Sequence, residues 1–309
     1  MNQNIVIDVT QIAPAFRHPT VFQAFDDLDV NETILLHNDH DPKPLYYQLL
    51  GKHGNTFSWD YKMSGPDIWE VEIARNTGSK GPTVGEIVGN DMRKADVFKK
   101  LGIDFCCGGK KPLDTACAEK GLDVNIVKEQ LAYATSNDLT SPVRYSEWPL
   151  SFLVDYIVNI HHDYIRKNDT VLTELSEKVA SRHGDNHEEL IFIKELVEKA
   201  LCELNVHMKK EEHILFPYIK QLENNEQKTV GFHPITEPIS VMENDHDIVG
   251  KLFQDIRQLS NNYTPPANAC NSYKLLFHKL EEFENDLHIH VHLENNILFP
   301  RAVAIETGR

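Results

Sequence analysis

No run of about 18 apolar residues occurs anywhere in the chain, so no segment is long enough to cross a bilayer as a helix. Concentrated basic charge is missing too: 31 Lys and Arg stand against 47 Asp and Glu, a net charge of −16. That balance speaks against binding phosphate backbones, and no nucleic-acid partner is expected. Cysteine is scarce, five in 309 residues, odd in number and unevenly placed, which does not look like a disulfide framework. The opening residues, MNQNIVIDVT, show neither a basic region nor the apolar stretch of a signal peptide. The expectation is a soluble cytoplasmic protein without membrane association. Histidine, by contrast, is plentiful at 16 residues, and it both titrates near neutrality and ligates metals.

The fold expected is multi-domain. Residues 1–76 read as a small α/β module. NIVIDV (4–9) and ETILLHND (32–39) are β-branched runs, PTVFQAFDDL (19–28) and PLYYQLLGKHG (44–54) carry helix-spaced apolar residues, and TFSWDY and IWEVEIA flank a hairpin turn. The order is β-α-β-α-β-β, and NTGSKGP (76–82) has linker composition. Residues 83–138 read as a short helical domain, with Thr83 and Glu86 spaced as a capping box and DFCCGGKK between its helices. Residues 145–309 read as four long helices with loops near 182–189, 224–238 and 261–270, an all-α bundle of the kind that builds metal sites on facing helices.

Within that bundle the chain writes one phrase twice: HMKKEEHILFP from His207 and HVHLENNILFP from His290. Residues four apart on a helix share a face, so His207 and Glu211 point one way, as do His290 and Glu294. The direction is inward. Leu276, Leu280, Phe283, Leu287, His290, Glu294 and Ile297 form one stripe, and Leu196, Ala200, Leu204, His207, Glu211 and Ile214 form another. A lone His-x-x-x-Glu is usually a solvated face. Two copies on apolar stripes are different, because an unpaired buried carboxylate costs several kcal/mol unless a cation is present. The repeat extends upstream: NIHHDYI and ENDHDIV place His162 and His246 at 45 and 44 residues before the second histidine of each pair. The candidate metal ligands are therefore His162, His207, Glu211, His246, His290 and Glu294. Four imidazoles and two carboxylates are too many for one tetrahedral zinc. They suit two irons, bridged by both carboxylates and by an oxo or hydroxo group; manganese or a mixed pair fits the same donors. The apolar stripe of the first helix (Val154, Ile157, Ile165, Leu172) is centred nearer His161, whereas the repeat selects His162. His288 and His292 lie about 200° around the helix from His290 and are expected in solvent, like His183, His187, His213, His233 and His278.

DFCCGGKK, HMKKEEHILFP, ISVMENDHD, TPPANAC and HLENNILFPRA resemble the repair-of-iron-centres family of di-iron, hemerythrin-like proteins over residues 83–309. The resemblance implies a non-haem di-iron centre and a role in repairing iron–sulfur clusters damaged by nitric oxide or peroxide, through iron donation. It also implies alternatives: reduction of nitric oxide to nitrous oxide, or redox and gas sensing with nitric oxide or O2 as small ligands. Damaged iron–sulfur proteins are the implied partners. The family's ligands fall on the six positions above, and its acidic groups near the metal fall on Glu203 and Asp245. Glu203 stands one turn before His207, as Asp286 stands before His290. Oxygen-carrying hemerythrins resemble His-x-x-x-His on the third helix, where this chain has His246 followed by Gly250.

Cys106 and Cys107 are adjacent, and a disulfide between neighbours is strained. Lys110 and Lys111 suggest lowered thiol pKa values, making the pair a candidate for nucleophilic, redox or transient iron-binding roles; the alternative is a pair of small buried residues. The segment LLHNDHDPKPLYYQL resembles a small module related in fold to sulfur carriers of the TusA type, without their cysteine. His37 and His40 with Asp39 and Asp41 offer metal donors there, against the commoner reading of a strand end and an Asp-Pro helix start. A homodimer is the default oligomeric expectation.

Overall fold

The computed structural model describes residues 4–29, 32–53, 56–66, 68–75, 81–136, 143–224 and 234–308. Most of the linker expected at 76–82, His233, and most of the loop expected at 224–238 lie outside the described residues. The chain forms two compact units, Met1–Val84 with Lys111–Glu129 and Thr307–Arg309, and Gly85–Lys110 with Gln130–Glu306.

The first unit opens with β1 (Asn4–Asp8), α1 (Pro14–Asp27), β2 (Thr33–Asn38), α2 (Lys43–His53), β3 (Phe57–Ser64) and β4 (Trp69–Arg75). Residues alternate strictly between half-buried and buried along β2, as a strand with one face on a core requires. The sheet order is β1-β2-β4-β3, with β1 parallel to β2 and the other pairs antiparallel. Ile7, Val21, Phe25, Ile34, Leu36 and Val71 share one core. The Asp-Pro segment starts α2: Lys43 N–H donates to Asp41 Oδ1 at 3.1 Å, and Tyr61 O–H donates to the same oxygen at 2.6 Å. His37 faces Glu70 at 3.4 Å and His40 faces Asp39 at 2.5 Å, and these side chains form none of the metal-capable groups found among the described residues. This unit also carries α5 (Leu113–Glu119).

In the second unit, α3 (Val84–Asn90) and α4 (Ala95–Lys100) precede the cysteine loop; α6 (Val124–Ser136), divided between the units at Glu129, precedes the bundle. Four rods make the bundle. The first is α7 (Leu150–Tyr156), a π turn at Ile157–His162 and α8 (Asp163–His183). The second is α9 (Glu189–Lys210), a π turn at Glu211–Leu215 and α10 (Phe216–Glu223). The third is α11 (Thr236–Leu259). The fourth is α12 (Asn271–Leu293), a π turn at Glu294–Leu298 and α13 (Phe299–Thr307). The α8 helix packs on α9 and α12, and α9 packs on α11.

The π turns of the second and fourth rods have a cause in the repeated phrase. Pro217 and Pro300 lack an N–H, and a proline ring clashes with the carbonyl four residues back in a regular α-helix. A widened turn just before each proline accommodates the ring, and such turns recur at functional sites. Each π turn also shifts the helix face by one residue. Hence Ile214, expected on the inward stripe, is 46% exposed, and Leu215 takes its place at 1%. In the first rod the same shift resolves the competition between two histidines. His161 is in phase with Val154 and Ile157 before the turn, His162 with Ile165 after it, and both are buried.

After α11 the chain reverses through Asn261, Asn262 and Tyr263, at φ of 50°, 53° and 54°. Asparagine tolerates that region; tyrosine does so less readily. Tyr263 is anchored by its O–H donating to buried Glu284 at 2.8 Å, and Arg257 donates to the same carboxylate.

Candidate metal centre

The six residues selected by the repeat converge in the bundle core, each at most 2% exposed. They form two quartets. In one, His162 Nε2 lies 3.3 Å from Glu211 Oε2 and 3.2 Å from His290 Nε2, and His290 Nε2 lies 3.0 Å from Glu294 Oε1. In the other, His207 Nε2 lies 3.3 Å from Glu211 Oε2 and 3.0 Å from His246 Nε2, which lies 3.0 Å from Glu294 Oε2. The donor atoms of each quartet fall within 4.8 Å of one another, and Glu211 and Glu294 belong to both.

This arrangement fits a pair of cations. Among the described residues no well-formed hydrogen bond reaches either oxygen of Glu211 or Oε2 of Glu294, although both side chains are fully buried. The histidines turn Nε2 inward. Behind three of them, Nδ1 is held: His162 by Glu212 Oε1 at 2.6 Å, His246 by Asn295 Oδ1 at 2.9 Å, and His207 by Asp245 Oδ2 at a longer 3.4 Å. An Nδ1–H donated outward leaves the Nε2 lone pair facing the centre, the usual arrangement behind metal-bound histidine.

The electrostatics show the same demand for positive charge. Burial and the neighbouring Glu294 push the Glu211 carboxyl up, yet the imidazoles of His207 and His162 hold it below the usual range. Glu294 is likewise held low, against burial, by His290 and His246. Burial pushes His207 down, but Glu211 and Asp245 outweigh it and raise the imidazole to about 10. His162 is raised by Glu211 and Glu294 against its burial. Protons on imidazole thus balance the carboxylates, a task that divalent cations perform equally well.

The residues expected around the centre divide. His161 enters neither quartet. Its ring stacks on His290, 5.7 Å between centroids, and its Nδ1 meets Asp286 Oδ1 at 3.0 Å. Asp245 stands beside His207, shared with Lys210 at 2.8 Å. Glu203 is half-buried and belongs to neither quartet. Sequence reasoning missed Glu212 and Asn295, although each directly follows a shared glutamate in the repeated phrase.

His292, expected in solvent, is buried. Its Nδ1 donates to Phe105 O at 3.1 Å, and burial lowers its pKa to about 4. His288 is half-buried and likewise lowered by burial. Asn296, one turn after His292, donates to Cys106 O at 2.8 Å, so one face of the fourth rod holds the cysteine loop. Cys106 joins the bundle core and donates its S–H to Asp104 Oδ1 at 3.0 Å. The expected activation by lysine does not occur. Lys110 pairs with Glu243 and Lys111 with Glu119. The Cys106 thiol is pushed well up by its hydrogen bond with Cys107 and by burial; Cys107 is raised by burial, against that same bond, and by Asp104. Asp104, Cys106 and Cys107 nevertheless form a third metal-capable group. Cys202 and Cys270 are exposed.

Among the described residues no helix is long and apolar enough to cross a membrane. Residues 154–302 match the hemerythrin HHE cation-binding domain, 80–135 a domain of unknown function (DUF542), and 6–75 an uncharacterised conserved protein family (DUF2249). Similar proteins include the iron-sulfur cluster repair protein YtfE of Escherichia coli O8 and that of Escherichia fergusonii. Each is 37% identical over 223 residues, spanning 72% of this chain and 97% of the relative. That likeness runs almost the full length of the relatives, and the chain belongs to the YtfE family of hemerythrin-like iron-sulfur cluster repair proteins.

Proposed function

We propose that this chain holds two irons and supplies iron to damaged iron–sulfur proteins. The observation that carries the reading is the sharing of Glu211 and Glu294 by both donor quartets. In this reading His162 and His290 serve one iron, His207 and His246 the other, and the two carboxylates serve both. A non-haem iron pair held by these residues would supply exchangeable metal and could take small ligands. The protein's part is to hold that metal without enclosing it. Each iron would be held by two imidazoles and the two shared carboxylates, fewer donors than a saturated octahedral site. Gly250, one turn beyond His246, adds no donor. The relatives' printed name, iron-sulfur cluster repair protein, supports the same role here.

Asp245, 14% exposed and touching both His207 and Lys210, stands between the buried donors and solvent. It is suited to receive a cation leaving the His207 side. Glu203 and the cysteine pair take secondary places in this scheme. The test is anaerobic incubation of the iron-loaded chain with an iron-depleted cluster protein, sulfide and thiol. The expected result is recovered cluster absorbance, lost in Glu211→Ala. Repeated conversion of nitric oxide to nitrous oxide without loss of iron would instead favour an enzyme.

A further inference from the structure

The two halves of the bundle repeat one another, and the repeat contains one chemical difference beside the centre. Glu212 follows the shared Glu211, and Asn295 follows the shared Glu294. Each turns back to hold Nδ1 of the first histidine of its own hairpin. Glu212 holds His162 at 2.6 Å with a carboxylate; Asn295 holds His246 at 2.9 Å with a neutral amide. A carboxylate on Nδ1–H makes Nε2 a stronger donor than an amide does, and such outer partners change metal affinity by about 10- to 100-fold.

The other two histidines offset this difference only in part, because the one carboxylate contact they make is long. His207 meets Asp245 only at 3.4 Å, and Lys210 takes the same oxygen at 2.8 Å. Nδ1 of His290 has no hydrogen bond among the described residues. Arg166 shares Glu212 as Lys210 shares Asp245, through side chains of similar exposure, 42% and 39%, so cation sharing does not separate the two positions.

We infer that the two metal positions are unequal, and that Asn295 makes the His207–His246 position the weaker one, the position that gives up iron first. The inference rests on the two-iron reading above and names which iron is the cargo. It also fits the placement of Asp245, 14% exposed, at the edge of that same position.

The experiment is stepwise removal of Fe(II) from the full-length chain by a graded chelator, with crystals taken at one iron per chain for anomalous diffraction at the iron edge. In the wild type the expected result is two release steps, with the remaining iron between His162 and His290. Asn295→Asp should tighten the weaker step by about tenfold or more and bring the steps together. Glu212→Gln should loosen the tighter step. A variant that merely disturbs packing does not tighten a metal site, so a gain in Asn295→Asp separates positioning from structure. Residual iron between His207 and His246, or release unchanged in Asn295→Asp, would overturn the inference. Fewer than two irons in the loaded wild type would instead remove the two-iron reading beneath it.

Discussion

Glu211 and Glu294 each open a π turn and each stand in both donor quartets, so one local device is used twice to aim one carboxylate at two positions. In a regular helix the proline six residues on would force a kink. The widened turn absorbs it and leaves the glutamate at the end of a regular stretch, four residues after its histidine.

Removing either carboxylate should therefore cost both positions a donor. The wild type is expected to bind about two irons per chain. Glu211→Ala and Glu294→Ala should each fall well below that by metal analysis, with intact helical circular dichroism. Retention of two irons in either variant would contradict the shared-carboxylate geometry.

Without metal, the site's charge balance depends on protons, and the sign can be worked out. His207 is raised from 6.5 to about 10, so its contribution is complete below pH 6.5 and disappears as pH rises through 10. Glu211 and Glu294 are lowered, so their contribution is present above about pH 4.5 and disappears as pH falls. His292, lowered to about 4, adds stability that is lost as pH falls below 6.5, so the metal-free chain should be most stable near roughly pH 6.5 and lose Tm both on acidification and from pH 7 to 10. A cation replaces the proton, so the metal-loaded chain should show a flatter profile over that window. Parallel Tm curves for the two forms would refute this account.

The convergence of the six residues was legible in the sequence because their spacing coincides with the helix repeat, and because two copies checked each other. What spacing alone could not reveal were the π turns. They decide that Leu215 rather than Ile214 faces the core, and that His161 and His162 are both buried. His292 was hidden for another reason: its partner is a backbone carbonyl, Phe105 O, far away in the chain. The lysines beside the cysteines misled because their charge is taken up by Glu243 and Glu119. In the α/β module, the alternating pattern marks the strands, but not that β4 inserts between β2 and β3.

The register shift makes its own prediction. Leu215 is 1% exposed and Ile214 is 46% exposed. Leu215→Ala should destabilise the bundle by about 2–5 kcal/mol. Ile214→Ala should stay within about 0.5 kcal/mol. Denaturant unfolding of both variants measures the contrast, and a reversed order would mean that the second rod runs as an uninterrupted α-helix.

The cysteine loop is held against the fourth rod by close backbone approach, and Gly109 is where that approach is tightest. A Cβ there would stand 2.4 Å from Asn296 Oδ1 and 2.6 Å from Phe105 O, so the loop must shift if Gly109 becomes alanine. Asn296 would then lose its hold on Cys106 O, now at 2.8 Å. In the wild type, burial and raised pKa keep Cys106 protonated and slow to react, while exposed Cys202 and Cys270 react first. Alkylation near pH 7.5 followed by peptide mass spectrometry should show Cys106 labelled much faster in Gly109→Ala than in the wild type. If Cys106 is labelled as slowly in the variant, the loop does not depend on the Gly109–Asn296 contact.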